Sequence, residues 1–138
     1  MNLTRTIPIM NQVDIHAARM YTREAARLVG LELNEQAQVS MATSSLADCL
    51  KMGAPVPGTP GQAAAANQIV IKVIENSHEG LQVDFESMNI TNCDAIEFQL
   101  RRIRNLVDDI KIEQMPNGSV RVIMIKWGRQ AVANSRQY

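Results

Sequence analysis

The stretch that decides the fold runs from Val13 to Lys51 and reads VDIHAARMYTREAARLVGLELNEQAQVSMATSSLADCLK. In its first half, small and apolar residues recur at steps of three and four, which is the spacing of one face of an α-helix. These residues are Ile15, Ala18, Thr22, Ala25 and Val29. Asp14 is placed as an N-cap or first-turn acid, and Gly30 predicts the helix end because glycine tolerates positive φ.

The second half of this stretch predicts another amphipathic helix. Asn34 is its expected N-cap. The expected buried stripe consists of Val39, Ala42, Leu46 and Leu50. Ser45 and Cys49 lie four residues apart, so they share a face of the helix beside that stripe. The many small residues in this half favour close packing against a sheet or a neighbouring helix.

The remaining segments predict strands, one more helix and two irregular regions. Strands are expected at 4–10, 68–74, 81–86, 111–115 and 119–127, and a third helix is expected to start after Thr91 and bury Ile96, Leu100, Ile103 and Val107. Pro8 predicts that the first strand is an edge strand, because proline cannot donate to a ladder. Residues 53–67 are rich in proline and glycine and predict a flexible loop.

This order of elements predicts an α+β fold. We expect a two-layer α/β sandwich, in which three helices cover one face of a mixed, mainly antiparallel sheet. The chain has 138 residues, which suits a single domain at residues 1–128 followed by a polar tail at 129–138.

Composition excludes several function classes. The formal net charge is zero, whereas a nucleic-acid binder needs surplus Lys and Arg, and aromatic residues make up 4% of the chain, too few for base-stacking platforms. The two cysteines have no metal-ligand spacing, and no apolar run approaches the ~20 residues of a membrane span. We therefore expect a cytoplasmic protein with reduced thiols and no nucleic-acid or membrane partner.

The last strand is apolar on both of its faces. Val120, Val122 and Met124 alternate with Ile123, Ile125 and Trp127. Such a strand is either central and covered twice, or it offers an open apolar face. Ile123, Ile125 and Trp127 are therefore candidates for a partner surface. Arg101 and Arg104 are further candidates, because arginines on the third helix suit an acidic partner, although solubility explains them more simply.

The opening stretch and the ending GSVRVIMIKW, residues 118–127, resemble a known family. They look like the small serine-kinase and anti-sigma-factor branch of the GHKL (histidine-kinase-like) ATPases, and the likeness covers residues 5–127. The resemblance implies an ATP site with three elements. The first is an acid followed four residues later by an Asn that carries Mg²⁺, both on the second helix. The others are an Asp-x-Gly-x-Gly turn after a strand and a glycine-rich lid.

All three elements are degenerate in this sequence. The acid and Asn positions fall at Ser45 and Cys49, and a hydroxyl is a poor base while a thiol is a poor Mg²⁺ ligand. The turn corresponds to Ser87, Met88, Asn89, Ile90 and Thr91, which include neither acid nor glycine. No glycine occurs between Gly80 and Gly118, so a glycine-rich lid is missing. We expect no ATP or Mg²⁺ cofactor and no catalytic residue.

The resemblance, together with the loss of the three ATP-site elements, predicts a non-catalytic regulatory protein, a pseudokinase. It implies protein–protein contact in a bacterial partner-switching or sigma-factor pathway, with a STAS-domain antagonist or a sigma factor as partner, and a homodimer is another expectation. One alternative is an active serine kinase or anti-sigma factor with a displaced site that uses Asp48, Asp84 or Glu86, although the last two also fit an exposed strand face. Another alternative is a small-ligand module in the emptied cleft, faced by Ser45 and Cys49.

Overall fold

The computed structural model describes residues 4–53, 67–75, 79–88 and 96–128. The strands are β1 (Thr4–Pro8), β2 (Gln68–Glu75), β3 (Glu79–Ser87), β4 (Asp109–Gln114) and β5 (Val120–Trp127). The helices are α1 (Gln12–Leu28), α2 (Leu33–Cys49) and a third helical segment, a 3-10 turn (Phe98–Leu100) that continues into α3 (Arg101–Arg104). Of the predicted features, most of the loop at 53–67, the positions Asn89 and Thr91, and the tail lie outside the described residues.

The predicted fold class is confirmed. The five strands form one sheet in the order β1-β2-β3-β5-β4, and each neighbouring pair is antiparallel. The helices pack against one face, which gives the two-layer α/β sandwich. β1 lies at the sheet edge, as Pro8 predicts. Among the described helices, none has the length and apolar character that a membrane crossing requires.

The two faces of the sheet differ because alternate residues of a strand point in opposite directions. Leu81, Val83 and Phe85 of β3 point towards the helices and are fully buried. On β5 the same face carries Val122 and Met124, which are also buried. The opposite face is not covered by any described element and carries Ile123, Ile125 and Trp127 at intermediate exposure.

Helices α1 and α2 pack closely through small side chains, as their sequences predict. Ala18, Thr22 and Thr43 are all completely buried. Each threonine hydroxyl donates to a carbonyl one turn earlier in its own helix, and the two hydroxyl oxygens lie 3.3 Å apart across the interface. Polar groups at this contact are therefore satisfied within the helices, and the backbones can approach each other.

The helix starts differ in part from the sequence prediction. Asn11 caps α1, and Asp14 is a first-turn acid whose carboxylate accepts from the backbone N–H of Met10 at 2.8 Å. The prediction that Asn34 caps α2 is wrong. Glu32 takes that position, and its backbone N–H donates to the carboxylate of Glu35 at 3.1 Å. A capping box with a glutamate at its first position competes successfully with the asparagine.

Candidate functional site

The candidate site is a groove between α2 and the third helical segment. One wall is formed by Met41, Ser45 and Cys49, which share a face of α2 because they lie four residues apart. The facing side consists of Phe98, Arg101, Arg102, Ile103 and Leu106. The groove has a volume of about 620 Å³, which lies in the range of ligand-binding clefts.

The structure places Ser45 and Cys49 together on this wall, where the resemblance puts the acid and the magnesium-binding Asn. Ser45 is exposed and Cys49 is half-buried. Burial raises the pKa of the Cys49 thiol, the charge of Asp48 raises it further, and Arg102 lowers it by less. Cys49 is therefore a protonated thiol at neutral pH, and neither side chain suits Mg²⁺, which prefers oxygen ligands such as carboxylates. These residues do not fit a magnesium–nucleotide site.

Ser87, the start of the degenerate turn, lies apart from the groove lining. Its side chain is fully buried, and its hydroxyl donates to the carbonyl of Leu50 at 3.0 Å. Leu50 is the C-cap residue of α2, so this hydrogen bond ties the end of β3 to the end of the helix. In this structure Ser87 connects two elements of the scaffold.

Asn67 forms a second connection at the same end of the molecule, and the sequence analysis missed it. Its side chain is 1% exposed, donates to the carbonyl of Met52 at 3.3 Å and accepts from the backbone N–H of Met88 at 2.9 Å. A polar residue directly before the apolar strand β2 was the available signal. The bonds of Ser87 and Asn67 together fix the chain that leaves α2 against the ends of β2 and β3.

The space between α2 and the sheet is filled with apolar side chains. Leu46, Leu50, Met52, Phe85 and Leu100 each have 0% exposure. The resemblance would place a nucleotide between the second helix and the sheet. Among the described residues, an open volume lies on the side of α2 that faces the third helical segment.

Asp84 lies on the open strand face, as the alternation of β3 predicts, but its side chain is not exposed. The residue is only 3% exposed. Arg121 Nη2 lies 2.7 Å and Lys72 Nζ 3.6 Å from Asp84 Oδ2, and the amide of Gln82 donates to Oδ1 at 2.9 Å. The hydrogen bond to Asp84 in turn raises the pKa of the Arg121 guanidinium. The long side chains of Arg121 and Lys72 cover the carboxylate and balance its negative charge.

The carboxylates proposed for a displaced kinase site are divided between the two sides of the sheet. Asp84 and Glu86 lie on the open face of the sheet, where Glu86 accepts a hydrogen bond from Gln68 at 3.1 Å. Asp48 lies on α2, which packs on the other face. Within the described residues, no three His, Cys, Asp or Glu side chains are grouped as metal ligands.

The predicted partner residues fall on two separate surfaces. Ile123, Ile125 and Trp127 share the open sheet face, where the indole of Trp127 lies over Gly80: a Cβ added to this glycine would be 2.4 Å from Trp127 Cε3. Arg101 lines the groove on the helical side. Arg104 forms an ion pair with Glu97 at 2.8 Å. A single small interface could not include residues of both surfaces.

Comparisons with known proteins identify no family. No protein-family model matches the chain, and no curated protein matches it. Among solved structures, a chain from the crystal structure of the SiaB-SiaC complex of Pseudomonas aeruginosa is similar, with a TM-score of 0.46 and 10% sequence identity. The match covers 91% of this chain and 89% of that chain. A likeness at this TM-score supports no conclusion about function.

Proposed function

We propose that this chain is a non-catalytic regulatory protein of the histidine-kinase-like type, which acts by protein–protein contact in a bacterial partner-switching or sigma-factor pathway. The pathway part rests on the resemblance of residues 13–51 and 118–127 to the serine-kinase and anti-sigma-factor branch. The observation that carries the non-catalytic part is the side chain chemistry of Ser45 and Cys49 on the groove wall.

Loss of catalysis follows from what those two positions can do. A phosphoryl-transfer site of this kind needs a base for the nucleophile and oxygen ligands for Mg²⁺. A serine hydroxyl and a thiol with a raised pKa supply neither. Ser87 is committed to the carbonyl of Leu50, so its hydroxyl serves the connection between β3 and α2.

A displaced kinase site finds no support in the geometry. Asp48 lies on the opposite side of the sheet from Asp84 and Glu86, and the charge of Asp84 is balanced by Arg121 and Lys72. A carboxylate that is 3% exposed and engaged with two cations is not accessible to a substrate hydroxyl.

Protein contact is supported by apolar side chains that the described elements leave uncovered. Phe98 is 71% exposed and Met41 is 49% exposed at the groove, and the open sheet face adds Trp127 at intermediate exposure. Large exposed apolar side chains that cluster are typical of interaction surfaces. We expect the partner to be a STAS-domain antagonist or a sigma factor, and a second copy of the chain is the alternative.

The test combines complex formation with phosphate transfer. STAS-domain proteins and sigma factors encoded beside the gene are mixed with the chain, with and without Mg-ATP labelled at the γ-phosphate. We expect a stable complex on size-exclusion chromatography that is unaffected by the nucleotide, and no labelled partner. Transfer of label to a partner serine that is abolished by Asp48→Ala would overturn the proposal in favour of an active kinase.

A further inference from the structure

We infer that the groove between α2 and the third helical segment binds an acidic segment of a partner protein, with an apolar anchor residue beside its carboxylates. The inference rests on the proposed function and deepens it, because it names the surface of contact and the chemistry of the segment that occupies it.

The apolar part of the groove supplies the anchor site. Ile103 is buried at its base and Leu106 is half-buried beside it. Phe98 and Met41 lie at the two rims, where Phe98 is 71% exposed and Met41 is 49% exposed. An apolar side chain inserted between the rims would remove both from solvent, which is the main source of favourable free energy in such contacts.

The positive charge of the groove favours a negatively charged partner segment. Arg104 is paired with Glu97, whereas neither Arg101 nor Arg102 forms an ion pair with any described residue. The guanidinium of Arg101 lies over the ring of Phe98, 5.1 Å from its centroid. Among the described residues, Asp48 is an acid near Cys49 and Arg102, and it is exposed on α2. Two guanidiniums that have no ion-pair partner among the described residues, beside an apolar floor, fit carboxylates, which arginine binds in a bidentate manner.

The dimensions favour a segment of a protein partner over a small amphiphile. From Met41 to Cys49 the wall spans about 12 Å of helix, enough for roughly two turns of a bound helix or a few extended residues. A small amphiphilic carboxylate could pair with the arginines. It would leave the rim residues Phe98 and Met41 in water, however, whereas a helix lying across the rims covers them.

The experiment selects ligands without assuming a partner. A display library of random peptides of about 15 residues, long enough to form a helix, is panned on the full chain. We expect enriched peptides that carry Asp or Glu next to Leu, Ile or Phe. Their affinity is expected to fall by at least about tenfold in the double variant R101E/R102E, because both guanidiniums are reversed. It should also fall in Ser45→Trp, which fills the groove from an exposed position.

The matched control is R23E/K111E, which makes the same change in net charge at two exposed residues away from the groove. Equal loss of affinity in this control and in R101E/R102E would overturn the inference, since long-range charge would then explain the binding. Circular dichroism and urea unfolding of all the variants verify that they are folded.

Further outcomes separate this inference from the proposed function. Peptides that bind R101E/R102E unchanged but are lost in Trp127→Ala would overturn the groove as the docking site and leave protein contact standing. Failure to enrich any acidic peptide, combined with displacement of a fluorescent fatty acid by dodecanoate from the wild type, would overturn the choice of a protein segment. Phosphate transfer to a partner would instead overturn the proposed non-catalytic function, and it would leave the groove as a docking site uncontradicted.

Discussion

The two sides of helix α2 have opposite characters, although they alternate along the same seventeen residues. The side towards the sheet carries Val39, Ala42 and Leu46, each with at most 1% exposure. The side towards the groove carries Ser45 and Cys49, in contact with open volume. The first side is fixed by packing, whereas the second is free to change its chemistry without loss of the fold. In the proposed function, this freedom lets the fold stay the same while Ser45 and Cys49 occupy the positions where the resemblance implies an acid and an Asn.

The largest expected difference between the two sides is in stability. Leu46→Ala removes a fully buried side chain and should lower the free energy of unfolding by about 2–5 kcal/mol. Ser45→Ala, at the adjacent exposed position, should change it by less than about 0.5 kcal/mol. Urea denaturation followed by circular dichroism measures both. Similar effects for the two substitutions would contradict the assignment of the two sides.

A smaller loss is expected where α2 is tied to β3. Ser87→Ala removes the hydroxyl that donates to the carbonyl of Leu50 and should cost about 1 kcal/mol in unfolding free energy. Ser44→Ala is the matched control, because its hydroxyl donates to Met41 within α2 and the residue is only partly buried. If the control were as costly as Ser87→Ala, the connection between the strand and the helix would have no special role.

On the groove side of α2, we expect the thiol of Cys49 to be alkylated slowly in the folded chain. In a Cys93→Ser background, Cys49 should react with iodoacetamide more slowly at about pH 8 in the folded chain than in urea, because burial raises the pKa of its thiol and so reduces the thiolate fraction. The protonated form is favoured in the folded state. The contribution of Cys49 to stability is therefore present below the ordinary thiol pKa and is lost as pH rises above it. Faster reaction of the folded chain would contradict this account of the groove.

Cys49→Ser supplies the control for that pH dependence. This variant should lose the part of the alkaline fall in stability that comes from the thiol, when unfolding is measured across the alkaline range. An unchanged alkaline profile would assign the fall to other groups and remove Cys49 from the explanation.

The smallest expected effect is on nucleotide binding by a restored helix. Ser45→Glu combined with Cys49→Asn returns the acid and the amide that the resemblance implies at these positions. We expect no saturable binding of a fluorescent ATP analogue with Mg²⁺, because the space between α2 and the sheet stays filled by Leu46, Leu50 and Phe85. Saturable binding would show that the side chains at positions 45 and 49 alone decide whether this chain binds the nucleotide.

The elements of α2 that the sequence predicts correctly are those set by local periodicity. Leu46 and Leu50 recur at helical spacing, and their burial follows from that spacing alone. The shared face of Ser45 and Cys49 follows in the same way. The N-terminus was mispredicted, because the pairing of Glu32 with Glu35 outweighed the single-residue preference of Asn34.

The local sequence pattern does not predict features that depend on residues distant in the sequence. Asp84 is buried because Lys72 and Arg121 reach it from neighbouring strands, and the sheet order that brings them together is not encoded near Asp84. The facing side of the groove is a similar case. Arg101 and Arg102 could be assigned to a helix surface from the sequence, but their position opposite Ser45 depends on how the third helical segment packs.

The most direct test of the central claim is an isothermal titration of the wild-type chain with Mg-ATP. The residues on the groove side of α2 predict no saturable heat up to millimolar nucleotide, and no difference when magnesium is removed. A saturable one-to-one isotherm that disappears without magnesium would show that this chain holds a metal–nucleotide complex after all. That result would contradict the claim that the scaffold has lost this chemistry.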